Sequence, residues 1–134
     1  MYAHRRDAPA HAAYRQWLTG ALAAGGALGA PGAVWAGLIR VVTHPRIYAP
    51  PSTLAEALDF ANALRAEPNW LVVEPGHRHW EIFTTLCRAT GARGGLVWDA
   101  YLAAIAIELG AEWISADRDF ARFPGLRWRH PLDP

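Results

Sequence analysis

The sequence predicts an α/β fold, a three-layer sandwich with a mainly parallel central sheet. Two observations carry that expectation. Short apolar runs with the length of strands are separated throughout by stretches with helical spacing, the order that builds a parallel sheet. The segment Trp70 to Val73 is also apolar, partly β-branched and closed by Pro75-Gly76, as a buried parallel strand would be.

A third observation organises the chain around two aspartates. Asp99 is expected to open a helix from Trp98 to Leu109, roughly 17 Å long at about 1.5 Å per residue, and Gly110 then lets the chain turn back. The return segment, Ala111 to Asp117, covers roughly 20 Å if extended, so Asp117 returns level with Asp99. Helix start and strand end then share the edge where open α/β sheets place their ligands.

At 134 residues the chain suits one domain, residues 1–134, with a single core. Apolar residues make up 52% and charged residues 19%, which excludes disorder, and no apolar run is long enough to span a bilayer. The lone Cys87 has no internal disulfide partner, and the N-terminus has no signal-peptide pattern, so a cytoplasmic location is expected. The net charge is +1, and all 13 basic residues counted as Lys+Arg are arginine. An arginine fork suits phosphate, but the richness in Ala, Gly, Arg and Pro is better explained by GC-biased coding. Charge alone decides nothing.

Met1 to His4 reads as the end of a strand and its loop, and Asp7-Ala8-Pro9 as a helix start capped by Asp7 or Ala8. Tyr14, Trp17, Leu18, Ala21 and Leu22 keep helical spacing as far as Gly25-Gly26. A second helix carries Val34, Trp35, Leu38, Ile39 and Val42, and Pro45 ends it. Around its C-terminus lie Arg40, Thr43, His44 and Arg46, where cations complement the helix dipole, so His44 is expected to cap or face solvent. Ser52 or Thr53 caps a third helix, with Glu56 at capping-box distance from Thr53 and Leu54, Leu58, Ala61 and Leu64 as its buried stripe.

His77, His79 and Glu81 do not match an established zinc spacing, and a structural role is expected for them. Trp80, Phe83, Leu86 and Cys87 would form the inner face of a fourth helix. Gly91 to Gly95 has no following Gly-Lys-Ser/Thr and is not a phosphate loop. On the helix beyond it, Trp98, Leu102, Ile105 and Leu109 follow a 4-3-4 spacing toward the core, leaving Asp99 off that stripe. Phe120 to Pro134 holds a short helical turn, then Leu126 to Trp128 as an edge strand.

Each aspartate alone has an ordinary explanation, Asp99 as a helix cap and Asp117 as a cap for the turn Arg118 to Arg122. Together with Asp119 they form a converging carboxylate set, which repels itself unless a cation neutralises it. Oxygen ligands alone suit Mg²⁺ or Mn²⁺, a metal able to activate water and steady a phosphate oxygen. A phosphatase or receiver domain would need a downstream Lys, and there is none.

The runs Leu96-Val-Trp-Asp99-Ala-Tyr-Leu-Ala-Ala, Ile114-Ser115-Ala-Asp117-Arg-Asp119-Phe120 and Phe123-Pro-Gly-Leu126 resemble the C-terminal half of PIN-domain ribonucleases, specifically the VapC-type toxins of bacterial toxin-antitoxin pairs. Leu38-Ile-Arg40-Val-Val-Thr43-His44-Pro45-Arg46 resembles one subgroup of them. The resemblance implies a Mg²⁺-dependent endoribonuclease acting on RNA, neutralised by a small antitoxin and usually a homodimer. It makes Asp99 and Asp117 the third and fourth acidic positions, catalytic and metal-binding, with Asp119 a further metal ligand and Ser115, Arg40 and Thr43 accessory.

Two departures accompany the resemblance. The family's first strand, central in the sheet and ending in Asp-x-Asn, has no counterpart before Met1-Tyr2-Ala3, and the glutamate usual on the second helix would fall near Gly37. Without that strand the chain is expected to be less stable and a feeble catalyst. The alternative is a degenerate PIN-like domain that binds antitoxin or RNA without hydrolysis.

Overall fold

The computed structural model describes residues 1–134, and contacts divide the chain into two compact units, Met1–Val73 and Glu74–Pro134.

The first unit opens in turns rather than in a strand end: the Met1 carbonyl accepts from the N–H of His4 (2.9 Å) and of Arg5 (3.1 Å). Helix α1, His11–Ala23, begins later than the Asp7 to Pro9 start expected, after Ala10 in a left-handed conformation and with no side-chain cap. Asp7 is taken instead by the Arg5 guanidinium, at 2.8 and 2.5 Å, and that partner holds its carboxyl below the ordinary range. The bidentate pair occupies both carboxylate oxygens, which leaves neither free to cap the helix.

Strand β1, Leu28–Pro31, runs straight into α2, Gly32–Val42. It pairs in parallel with β2, Trp70–Val73, in a register that sets Leu28 opposite Trp70 and Pro31 opposite Val73. The side chain of Asn69 pins the start of the ladder by donating to the carbonyl of Gly26 (2.7 Å).

Between the strands lies α3, Leu54–Arg65, with the predicted capping box: Thr53 Oγ1 accepts from the Glu56 N–H (3.2 Å), and the Glu56 carboxylate accepts from the Thr53 N–H (2.7 Å). Of the predicted stripe only Ala61 is buried, in a row with Ala57, while Leu64 is half-buried and Leu54 and Leu58 are exposed. Small side chains one turn apart let α3 lie close against α2, where Trp35 and Val42 are buried. β2 also differs from the buried strand expected: Leu71 and Val72 are exposed, because the ladder has only two strands and these two side chains are left uncovered.

In the second unit, α4, His79–Thr90, packs on α5, Gly95–Leu109. Gly110 ends α5 in the left-handed conformation predicted for it, and the Arg127 guanidinium donates to its carbonyl. Strand β3 is only Glu112–Ile114, shorter than the Ala111 to Asp117 segment expected, and pairs in parallel with β4, Arg127–Arg129. Phe120 and Phe123, in and just after a 3-10 turn at Arg118–Arg122, are buried, and Trp113 packs on Phe120 with centroids 5.3 Å apart.

α5 buries the unbroken run Leu102 to Ala106. A helix apolar nearly all round has no single stripe, so the 4-3-4 spacing misplaces its ends: Trp98 and Leu109 are exposed while Leu102 and Ile105 are buried. Trp80 of α4 is likewise exposed, and Leu86 supplies the buried inner face. Both ladders are parallel, with helices between paired strands in the first unit, as an α/β fold requires.

Candidate carboxylate site

Asp99 does not open its helix. α5 starts four residues earlier at Gly95, preceded by Gly94 with no side-chain cap, so Asp99 stands in the second turn and the capping explanation for it fails. Asp117 does cap: its Oδ1 accepts from the N–H of Asp119 (2.9 Å) at the start of the 3-10 turn. It lies beyond the end of β3 rather than closing it. Ser115 shapes this loop, since its hydroxyl accepts from the Asp117 N–H (3.1 Å), its own N–H donates to the Arg129 carbonyl (3.2 Å), and its carbonyl accepts from the Trp128 indole (3.1 Å). Asp119 is exposed and has Arg122 at 3.8 Å.

Asp99 feels its surroundings most. Burial pushes the Asp99 carboxyl above its ordinary range, and the charges of Asp117 and Asp119 push it further the same way. Helix α5 and the 3-10 turn are in contact, which is how the short return through Gly110 and β3 brings the acids into mutual range. No group of three His, Cys, Asp or Glu side chains is placed so as to hold a metal ion. By donor chemistry the three side chains are all oxygen donors, the kind a hard divalent cation takes, and a nearby cation would favour the charged Asp99 that burial first and the neighbouring acids second disfavour.

Arg40 and Thr43 belong to the first unit. Arg40 is exposed in the last turn of α2, and the Thr43 hydroxyl donates to the Ile39 carbonyl (2.7 Å) at the end of that helix. His44, expected to cap or face solvent, is half-buried and instead accepts from the Arg46 N–H (3.1 Å) in the turn after the helix. His79 is a core histidine, 5% exposed, with Nε2 at 2.9 Å from the Tyr101 carbonyl and its ring beside those of Phe83 and Tyr101.

Sequence reasoning missed two features of α5, one at each end. The Glu108 carboxylate accepts from the N–H of Gly76 (2.7 Å) and of Arg78 (2.9 Å), and so ties the start of α4 to α5. A Cβ on residue 76 would meet that carboxylate at 2.6 Å, so the glycine was the available signal. The exposed ring of Trp98, the residue before Asp99, lies parallel to Tyr101 with centroids 5.3 Å apart.

No helix is long and apolar enough to cross a membrane. The family model of the PIN domain matches residues 1–126. The chain is 47% identical over 133 residues to VapC ribonuclease Mb2897 of Mycobacterium bovis, covering 99% of this chain and 90% of that protein. It is 42% identical over 131 residues to ribonuclease VapC25 of Mycobacterium tuberculosis, covering 98% and 92%. Its fold matches a chain in the crystal structure of VapBC2 from Rickettsia felis bound to a DNA fragment from their promoter, with a TM-score of 0.67, 16% identity and coverage of 96% and 90%. An α/β architecture with parallel strand pairs, matched along nearly its whole length at this identity, belongs to the PIN domain family, and within it this chain is a VapC-type member.

Proposed function

We propose that the chain is a metal-dependent endoribonuclease, the toxin of a type II toxin-antitoxin pair, which hydrolyses RNA phosphodiester bonds in the cytoplasm. The observation that carries this is the packing of α5, which bears Asp99, against the 3-10 turn that bears Asp117 at its cap and Asp119, in a chain whose relatives are named ribonucleases. Asp99, Asp117 and Asp119 would hold the cation, Mg²⁺ or Mn²⁺. Once bound, it would supply an activated water and neutralise charge on the phosphate. Asp99 and Asp117 are the catalytic carboxylates, and Asp117 is held in position by its bonds to Ser115 and Asp119. Ser115 keeps the loop in shape, while Arg40 offers a guanidinium to RNA phosphate and Thr43 fixes the end of the helix that carries it. The two compact units act as one domain, partnered by a small antitoxin and by a second copy of the chain.

The test is cleavage of a labelled RNA in Mg²⁺, by the unaltered chain and by Asp99→Asn and Asp117→Asn. Loss of cleavage in both variants and in excess chelator is expected. Cleavage that survives chelator and both substitutions refutes the proposal. Gly37, at the position of the family's usual glutamate, favours the degenerate reading, for which the outcome is RNA or antitoxin binding with no cleavage in any divalent cation.

A further inference from the structure

Four aromatic rings of the second unit form a continuous row across α4 and α5. Trp80 packs on Phe83 with centroids 5.6 Å apart, Phe83 on Tyr101 at 5.8 Å, and Tyr101 on Trp98 at 5.3 Å. The two indoles at the ends of the row are the exposed ones, Trp80 at 71% and Trp98 at 51%. The Trp98 and Tyr101 planes are only 2° apart, so Tyr101 backs one face of the indole and the exposed half presents the other as a rigid plane. The next residue along the helix is Asp99.

The chain segment that carries most of this row is rich in positive charge: from His77 to Trp98 the exposed charged side chains are Arg78, Arg88 and Arg93 against the single acid Glu81, before Asp99 follows. Flat aromatic faces interleaved with arginines are the means by which proteins hold single-stranded nucleic acid, the rings stacking on bases and the cations following the backbone. A carboxylate site acting on a phosphodiester needs its nucleotide held in place, and Asp99, Asp117 and Asp119 repel phosphate until a cation is bound.

We infer that Trp98 is a positioning residue that stacks on a base of single-stranded RNA beside the phosphodiester facing Asp99, with Trp80 as a second platform on the same row. This rests on the ribonuclease proposal. Stacking on an aromatic side chain corresponds to about a 5- to 100-fold change in affinity per base, and a half-exposed ring falls toward the low end, at about tenfold.

The test is fluorescence anisotropy with the full chain in Ca²⁺ in place of Mg²⁺, a hard cation that neutralises carboxylates but activates water poorly, using a labelled oligouridylate and an abasic ribose-phosphate oligomer of the same length. Trp98→Ala is expected to lose about tenfold in affinity for the oligouridylate and little for the abasic oligomer, with Trp98→Phe recovering part of the loss. Circular dichroism of both variants checks that the helix is retained. Equal affinity of Trp98→Ala and the unaltered chain for oligouridylate overturns the inference, as does an equal loss on both oligomers. A shift in oligomeric state by light scattering with RNA affinity unchanged also overturns it, in favour of a protein-binding face. If the unaltered chain binds neither oligomer, the ribonuclease proposal fails and this inference with it, whereas oligouridylate binding that ignores Trp98 leaves the ribonuclease proposal standing.

Discussion

Gly29 and Gly37 are expected to respond in opposite directions to the same substitution. Gly29 sits on β1 opposite Leu71, and a Cβ there would stand 2.6 Å from Val73 Cγ2 and 2.8 Å from the Leu71 carbonyl oxygen. The methyl group could rotate aside, but the oxygen belongs to the partner strand and moves only if the ladder opens. Forcing an extra carbon into such a contact costs about 1–3 kcal/mol, and the stiffer unfolded chain returns about 0.4–1 kcal/mol. The net loss for Gly29→Ala is about 1–2 kcal/mol, or about 4–8 °C in melting temperature for a chain of this size. Gly37 lies inside α2, and a Cβ there meets nothing within 4 Å. Gly37→Ala should therefore gain about 0.5–1 kcal/mol from helix propensity alone, a rise of about 2–4 °C. Thermal melts followed by far-ultraviolet circular dichroism read both changes. If Gly29→Ala melts at or above the unaltered chain, or if the two variants move the same way, the close approach of β1 to β2 is not as described.

Asp99→Asn should weaken a single low-affinity Mg²⁺ or Mn²⁺ site in a cation titration while raising the melting temperature at neutral pH. Because the Asp99 carboxyl is held above its ordinary 3.8, the folded chain keeps a proton that the unfolded chain has lost, so stability falls as pH rises through that window. The asparagine variant should lack that fall, and an unchanged cation affinity would remove Asp99 from the ligand set. Glu108 works in the opposite sense: the N–H groups of Gly76 and Arg78 hold it below its ordinary 4.5, so its contribution is full above that value and is lost as pH drops through the lower folded one. Glu108→Gln should melt without that acid-side loss, as pH-dependent melts would reveal. Thr53→Ala removes the capping hydroxyl of α3 and should cost about 1 kcal/mol in denaturant unfolding, with Glu56 left unreciprocated.

What the sequence disclosed depended on how local the cause was. The capping box at Thr53 and Glu56 and the turn at Gly110 are set by residues within one turn of each other, and both were legible. A single helix, one turn and a short strand separate Asp99 from Asp117 and Asp119, whose charges act on it, so that influence too runs through a short stretch of chain. The burial of helix faces was not legible, since it depends on what each helix packs against. α3 buries Ala57 beside the expected Ala61 and leaves Leu54 and Leu58 outside, and the large rings of Trp80 and Trp98 lie outward where hydrophobicity placed them inside. The start of α5 was hidden because glycines at positions 94 and 95 carry no capping signal, and that misplacement made Asp99 look like a cap.

The two parallel ladders differ in the length of chain each must gather before its first pair forms. Leu28 waits for Trp70, roughly 40 residues away, whereas Glu112 waits for Arg127, only roughly 15 residues on. On chain-closure entropy alone the longer wait costs about 0.9 kcal/mol more. The ladder beside the aspartates should therefore zip early in folding, and the Leu28 to Pro31 pairing should come late. In pulse-labelled hydrogen exchange the amides of Arg127 to Arg129 would gain protection before those of β1, so the carboxylate loop would take shape while the first unit is still assembling.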